Sequence, residues 1–289
     1  MRPVLDVTFT PAAPYLLARS IGSPDLSRSF RGSVLQLAYP AGEHDATAHV
    51  WQRHDGSLGA RIDSPDPCLA HDRLHRLLGV GLDTTPFLRM AADDPLLRPM
   101  TSRLRGLRPL MLATPVHALI RAVCGQLIRS SDALAIERRI VRRLGRPCGR
   151  FVLAPAAETL ASAHPALLER AGLSPKRAVV LTRAARRLRL EALAGDPAER
   201  AELRIRREPG LGEWSVGVVL IYGFGRHERG LAGDLALVRL AQALGVESDR
   251  ELLARYGPWQ GLASIWLMHH PAAARHSSWR GGEAVTAPV

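Results

Sequence analysis

Lysine is almost missing from this chain. Of its 39 basic residues only Lys176 is a lysine, so the positive charge is nearly all guanidinium and a single side-chain amine exists for Schiff-base chemistry. Cysteine is scarce too: Cys68, Cys124 and Cys148 are an odd set with no Cys-x-x-Cys pair. That excludes a zinc ribbon and a four-cysteine iron–sulfur cluster, and the three read as buried structural thiols in a reducing compartment. No apolar run approaches the ~20 residues of a bilayer crossing. Met1-Arg2-Pro3-Val4 lacks the charged-then-apolar build of a secretory signal. The expectation is a soluble, cytoplasmic protein with no membrane partner.

What is present is a globular composition: 289 residues, 46% hydrophobic, enough for one large domain or two modest ones. The net charge of +12 suits a polyanionic partner, although a G+C-rich codon bias produces the same arginine excess. Arginine favours bidentate contact with phosphate.

The first hundred residues mix strand and helix signals. Val4–Thr10 alternates apolar and polar, a short helix is expected over Pro14–Ser20, and strand-like runs follow at Ser27–Ala38 and Ala46–Arg53. Asp55-Gly56 marks a hairpin into Leu58–Ile62, and Cys68–Leu78 reads as helix. From Thr84 onward every periodic segment reads as helical. Thr114-Pro115 caps a helix whose Val116, Leu119, Ile120, Val123, Cys124 and Leu127 share one face. A helix near Asp132–Leu144 carries Arg138, Arg139, Arg142 and Arg143, a solvated face or a phosphate track. Ser174-Pro175 opens another helix, and Ser248-x-x-Glu251 is a capping box. His71 and His75 have helical spacing without a metalloprotease glutamate, and read as a solvated face. His269-His270 suit either DNA contact or a helix C-terminal dipole. Three segments are expected: a mixed α/β domain with an antiparallel sheet over 1–110, a helical core over 111–271 and a flexible tail over 272–289.

The most informative stretch runs from Glu199 to Gly245. A helix ends at Arg206-Arg207, Pro209-Gly210-Leu211-Gly212 makes a turn, and an almost wholly apolar helix follows from Glu213 to Phe224. Glycines in such a hairpin let backbone N–H groups approach a phosphate at a helix N-terminus. Gly223-Phe224-Gly225 stops the second helix. Asp234 then opens a further helix that closes near Gly245. As an N-cap it serves the helix, and the dipole and backbone donors are expected to keep its carboxylate ionised.

Hairpin, buried helix, glycine-rich stop and helix-opening aspartate, in that order, resemble the helix-hairpin-helix DNA glycosylases, most of all the bacterial inducible 3-methyladenine branch. Pro209-Gly210-Leu211-Gly212-Glu213-Trp214-Ser215 resembles that branch's hairpin and tryptophan, and Ala232-Gly233-Asp234-Leu235-Ala236-Leu237 its catalytic-aspartate motif. Ile120–Leu127 is similar to the helix end that feeds the DNA wedge, Leu173–Ala178 to a helix start, and Tyr256-Gly257-Pro258-Trp259-Gln260 to the Pro-Trp motif of the last helices.

The resemblance implies an α+β fold, a mostly helical helix-hairpin-helix glycosylase core after a small antiparallel β-containing domain shared with the 8-oxoguanine glycosylases. It implies a monomer on duplex DNA containing damaged bases, nucleoid-associated, cleaving the N-glycosidic bond of alkylated bases. In this reading Asp234 is catalytic. Gln126, Leu127, Pro209, Gly210, Leu211 and Gly212 contact DNA, and Trp214, Val218 and Met268 line the base pocket. Leu127 suits a wedge or a core leucine equally, and Tyr222 and Trp266 read as core. No metal or cofactor is required, although the resemblance implies a monovalent cation held by hairpin backbone carbonyls. Relatives that also cut the backbone carry a lysine where Trp214 stands, so lyase activity is not expected. Glu208 departs from the apolar residue usual before Pro-Gly and is expected to loosen the hairpin. Val218 and Met268 replace pocket aromatics, which leaves a second reading: a catalytically weak DNA-binding protein that senses damage or structure through the same hairpin.

Overall fold

Alternating burial builds the N-terminal sheet. The computed structural model describes residues 3–23, 25–126 and 128–274. β1 (Val4–Phe9), β2 (Arg28–Arg31), β3 (Val34–Ala41), β4 (His44–Gln52) and β5 (Leu58–Asp63) form an antiparallel sheet of order β1-β5-β4-β3-β2. Leu35, Leu37 and Tyr39 on β3, Ala48 and Val50 on β4, and Ala60 and Ile62 on β5 are buried against the helix Pro67–Leu78, which contributes Ala70, Leu74, Leu77 and Leu78. Burial of each larger aliphatic side chain contributes about 1.5–3 kcal/mol.

The run Ser27–Ala38 is two strands, not one. Gly32 and Ser33 both take positive φ (53° and 64°), the conformation of a two-residue hairpin turn, and serine is a weak signal for it. The expected helix over Pro14–Ser20 is confined to Leu17–Ser20. His71 and His75 are half-buried and pack on the Phe9 ring, with centroids 5.1 and 5.8 Å away, rather than forming a solvated face.

The helical half follows its caps. Thr114 accepts from His117 N (3.1 Å) and Ser174 from Arg177 N (3.4 Å), opening the helices Pro115–Cys124 and Pro175–Arg187. Every side chain of Pro115–Cys124 is buried except Arg121. One element breaks the all-helical expectation: β6 (Arg146–Cys148) pairs with β7 (Phe151–Leu153) around Gly149 at φ 57°. Cys148, Phe151 and Leu153 join the core of the N-terminal sheet, whereas Phe87, Leu97, Met100 and Leu104 pack into the helical core. The two cores therefore do not divide at residue 110. Of the thiols, Cys124 and Cys148 are buried but Cys68 is exposed.

One side chain gathers the loops at the end of the N-terminal part. Arg108, almost fully buried, donates from Nη1 to Gly79 O (2.9 Å) and Leu82 O (2.7 Å), and from Nη2 to Ala13 O (3.1 Å) and Pro14 O (2.9 Å), with its guanidinium 4.8 Å from the Tyr15 ring centroid. The expected tail from 272 begins inside a helical turn, Pro271–Ala274, with Ala273 buried; its remainder lies outside the described residues. No helix among the described residues is long and apolar enough to cross a membrane.

Candidate active site

Two helices, Ala198–Arg206 and Glu213–Val218, flank the Pro209–Gly212 turn. Gly210 sits at φ +92°, and a Cβ there would stand 2.6 Å from Val180 Cγ2. Around Gly212 nothing lies within 4 Å of such a position, so the turn presents open backbone. Pro209, Gly210 and Gly212 are exposed. Leu211 is not: its side chain is buried in the helical core, so only its backbone faces outward chemistry.

Glu208 does the opposite of loosening this turn. It is buried and paired with Arg183 (Nε–Oε1 2.5 Å) and Arg187 (3.8 Å), and Arg183 also donates to Pro209 O. The departure from an apolar residue is matched by a guanidinium from Pro175–Arg187 that clasps the hairpin. Gln126 donates to Gly210 O (2.8 Å) and Ser215 Oγ (3.1 Å), so its side chain is tied to the hairpin rather than projecting as a plug. Leu127, the companion wedge candidate, lies outside the described residues. The carbonyls of Pro209 and Gly210 thus already accept from Arg183 and Gln126. The guanidinium on Pro209 O opposes a cation at that one carbonyl.

Asp234 caps the helix Leu235–Ala243 by accepting from Ala236 N at 2.9 Å. It lines a cavity of about 210 Å³ together with Trp214, Val218 and Met268, so the structure brings the candidate catalytic and pocket residues together. Burial raises the Asp234 pKa above its usual 3.8, and Asp249 pushes the same way, against the Ala236 N–H and the Trp214 side chain. The capping donors do favour the ionised form, as expected, but desolvation outweighs them. A carboxylate with a raised pKa is a better proton acceptor. Asp249 also fixes the loop before it, accepting from Gly233 N at 2.5 Å. Gly125 makes room for the Trp214 indole: a Cβ there would lie 2.4 Å from Cη2.

Tyr222, read from sequence as core, is half-buried and lines the cavity, whereas Trp266 is core. Its segment, Val219–Phe224, continues the helix in π form and ends at Gly225 in the left-handed region. Such turns widen a helix and are frequent at functional sites. Behind it lies a buried ionic chain that the sequence reading passed over. Glu137 accepts from Arg121 (Nη2 2.8 Å, Nε 3.0 Å) and pairs with His117 Nε2 (2.9 Å); Arg121 lies 3.7 Å from Asp25, which pairs with Arg28 Nε at 3.0 Å. Burial alone would raise the Glu137 pKa, but Arg121 and His117 more than reverse this and hold it well below 4.5. The missed signal was register: Glu137 stands in the apolar stripe of Ser130–Leu144 beside Ala133, Ile136, Ile140 and Val141.

His269, read as suiting either DNA contact or a helix C-terminal dipole, is half-buried, and desolvation lowers its pKa to about 4, leaving it neutral near pH 7 and without charge for the dipole. A second cavity of about 240 Å³ lies among Glu202, Arg206, Glu213, Arg229 and Arg250, whose charges pair with one another; none of Asp234, Trp214 and Tyr222 lines it.

Hairpin, capped aspartate and adjoining cavity sit on a fold shared with solved helix-hairpin-helix DNA glycosylases. It is similar to the probable bifunctional transcriptional activator/DNA repair enzyme AlkA of Mycobacterium tuberculosis, 29% identical over 223 residues that cover 72% of this chain and 45% of that protein. The chain thus matches under half the length of that relative. It is also similar to a DNA-3-methyladenine glycosylase of Bacillus subtilis, 24% identical over 67% of this chain and 69% of that one. Among solved structures, the 3-methyladenine DNA-glycosylase of Archaeoglobus fulgidus superposes with a TM-score of 0.77 at 19% identity, covering 90% of this chain and 96% of its own. No protein-family model matches.

Proposed function

We propose that this protein is a monofunctional DNA glycosylase that hydrolyses the N-glycosidic bond of alkylated bases, of the 3-methyladenine type, in duplex DNA. The carrying observation is the position of Asp234, a partly buried carboxyl on a base-sized cavity with Trp214 beside it and the open Gly210–Gly212 backbone on the same hairpin. The names of its relatives, repair enzymes and a 3-methyladenine glycosylase, support the same reading.

A base inside a duplex must be turned out of the stack before a side chain reaches its sugar. The hairpin N–H groups hold a phosphate while the base enters the cavity beside Trp214. As the C1′–N bond breaks, positive charge grows on the sugar, and the Asp234 carboxylate offsets it. Water adds at C1′ and gives up a proton to the carboxylate, the base leaves with the bonding pair, and an abasic site remains. An alkylated purine is already cationic and leaves neutral, so one carboxylate suffices. Lys176 is exposed at the start of Pro175–Arg187 and does not line the cavity, which supports hydrolysis without a Schiff base.

Alkylated duplex incubated with the protein is expected to yield alkali-labile abasic sites, and borohydride to trap no covalent complex. Asp234→Asn is expected to abolish base release and keep DNA binding. Equal abasic-site formation by both proteins removes the catalytic assignment, and binding without release by the native protein leaves only a DNA-binding module.

A further inference from the structure

Among the described residues Arg28 is the only strand residue that lines the cavity, and it is buried there with donors to spare. A guanidinium carries five N–H groups. Nε faces Asp25 Oδ2 at 3.0 Å but is not aligned for a hydrogen bond. Nη1 reaches Met111 O at 3.3 Å and Nη2 reaches Ser23 O at 3.5 Å, both beyond the usual range of about 2.7–3.2 Å. Counting all these contacts generously still leaves two N–H groups without a protein partner among the described residues. Arg108, on the wall of the same cavity, gives the contrast: its four Nη N–H groups each meet a carbonyl. Buried donors are rarely left open, because each costs about 1–3 kcal/mol, so two of them facing a cavity are met there by water or by an incoming acceptor.

We propose that Arg28 is a specificity-determining residue that donates to the carbonyl edge of a flipped guanine-type base, at the position where an adenine-type base carries an amino group. This rests on the reading that the Asp234 cavity receives the flipped base. Arginine pairs with the guanine O6 edge, whereas the adenine N6 amino group would set donor against donor. Asp25 is the positioning residue: it pairs with Arg28, accepts from Ser27 N (2.8 Å) and Ser27 Oγ (2.6 Å), and is itself buried. Arg28, Arg121 and Asp234 all act electrostatically on Tyr222, so they surround one compartment rather than separate ones. Methylated purines of both kinds are cations, so the charge of Arg28 opposes them alike and the edge contact alone separates them.

DNA treated with a radiolabelled methylating agent carries 7-methylguanine and 3-methyladenine in one substrate, and chromatography of the released bases gives their ratio. Arg28→Met in an Asp25→Asn background, which leaves no unpaired buried carboxylate, is expected to lower the 7-methylguanine to 3-methyladenine ratio by about tenfold or more. Arg28→Lys, which keeps the charge and loses the planar fork, is expected to lower it as well and carries the test if the double variant does not fold. A folding defect reduces both bases together, so a ratio within about twofold of the native one overturns the assignment whatever the total activity. Release of neither base by the native protein sinks the glycosylase reading itself, which is a different failure.

Discussion

The hairpin and the buried ionic chain beside the cavity are built from opposite materials. On the hairpin side the parts are exposed backbone and small residues: Gly210 at positive φ, Gly212 in open space, and a turn clasped from outside by Arg183. The ionic chain is buried charge, running from His117 through Glu137 and Arg121 to Asp25 and Arg28, of which Glu137, Arg121 and Arg28 line the cavity. A turn that meets phosphate gains from having little in the way. A wall that meets a base must be rigid and polar in a place water has left, which is the setting where an unpaired charge costs most.

The sharpest way to break this contrast is to remove the carboxylate from the buried side. Glu137→Gln leaves Arg121 without its bidentate partner, and a loss of about 3–5 kcal/mol of folding stability is expected in urea titrations near neutral pH. The folded-state pKa of Glu137 lies below its unfolded value near 4.5, so its contribution is complete above that value and fades as pH falls through the acid range. The difference between native and variant should shrink accordingly below pH 4.5.

Gly210→Ala on the hairpin side should act on both folding and binding. The positive φ and the Val180 contact strain any side chain there, at a cost of about 1–3 kcal/mol, and DNA affinity measured by fluorescence anisotropy should fall while the pH profile stays unchanged. Asp249→Asn has the smallest expected effect and touches neither side directly. Loss of a neighbouring negative charge lowers the Asp234 pKa, so the acid limb of single-turnover base release should move to lower pH. A limb that stays in place would mean that another group limits the reaction at low pH.

How far sequence carries is itself divided along this line. The hairpin and the Asp234 cap were legible because turns and caps are local chemistry, spelled out over a few adjacent residues, whereas Trp214, Val218 and Met268 entered only through the family resemblance. The buried charges were not, since Asp25, Arg28, Arg121 and Glu137 come from distant stretches and acquire meaning only when packed together. Glu137 alone left a trace, a carboxylate in an apolar register. The Arg146–Leu153 hairpin went unread because three-residue strands are too short to show a period. Glu208 misled, since its compensating arginine lies on another helix.

The π-form turn at Val219–Phe224 makes the spelling of this helix rigid in length as well as in letters. Each residue of a regular helix advances the chain by about 100°. Deleting any one residue between 219 and 222 would let the segment relax into ordinary coiling and swing Tyr222 off the cavity wall. Insertions and deletions here should therefore be tolerated far less well than replacements.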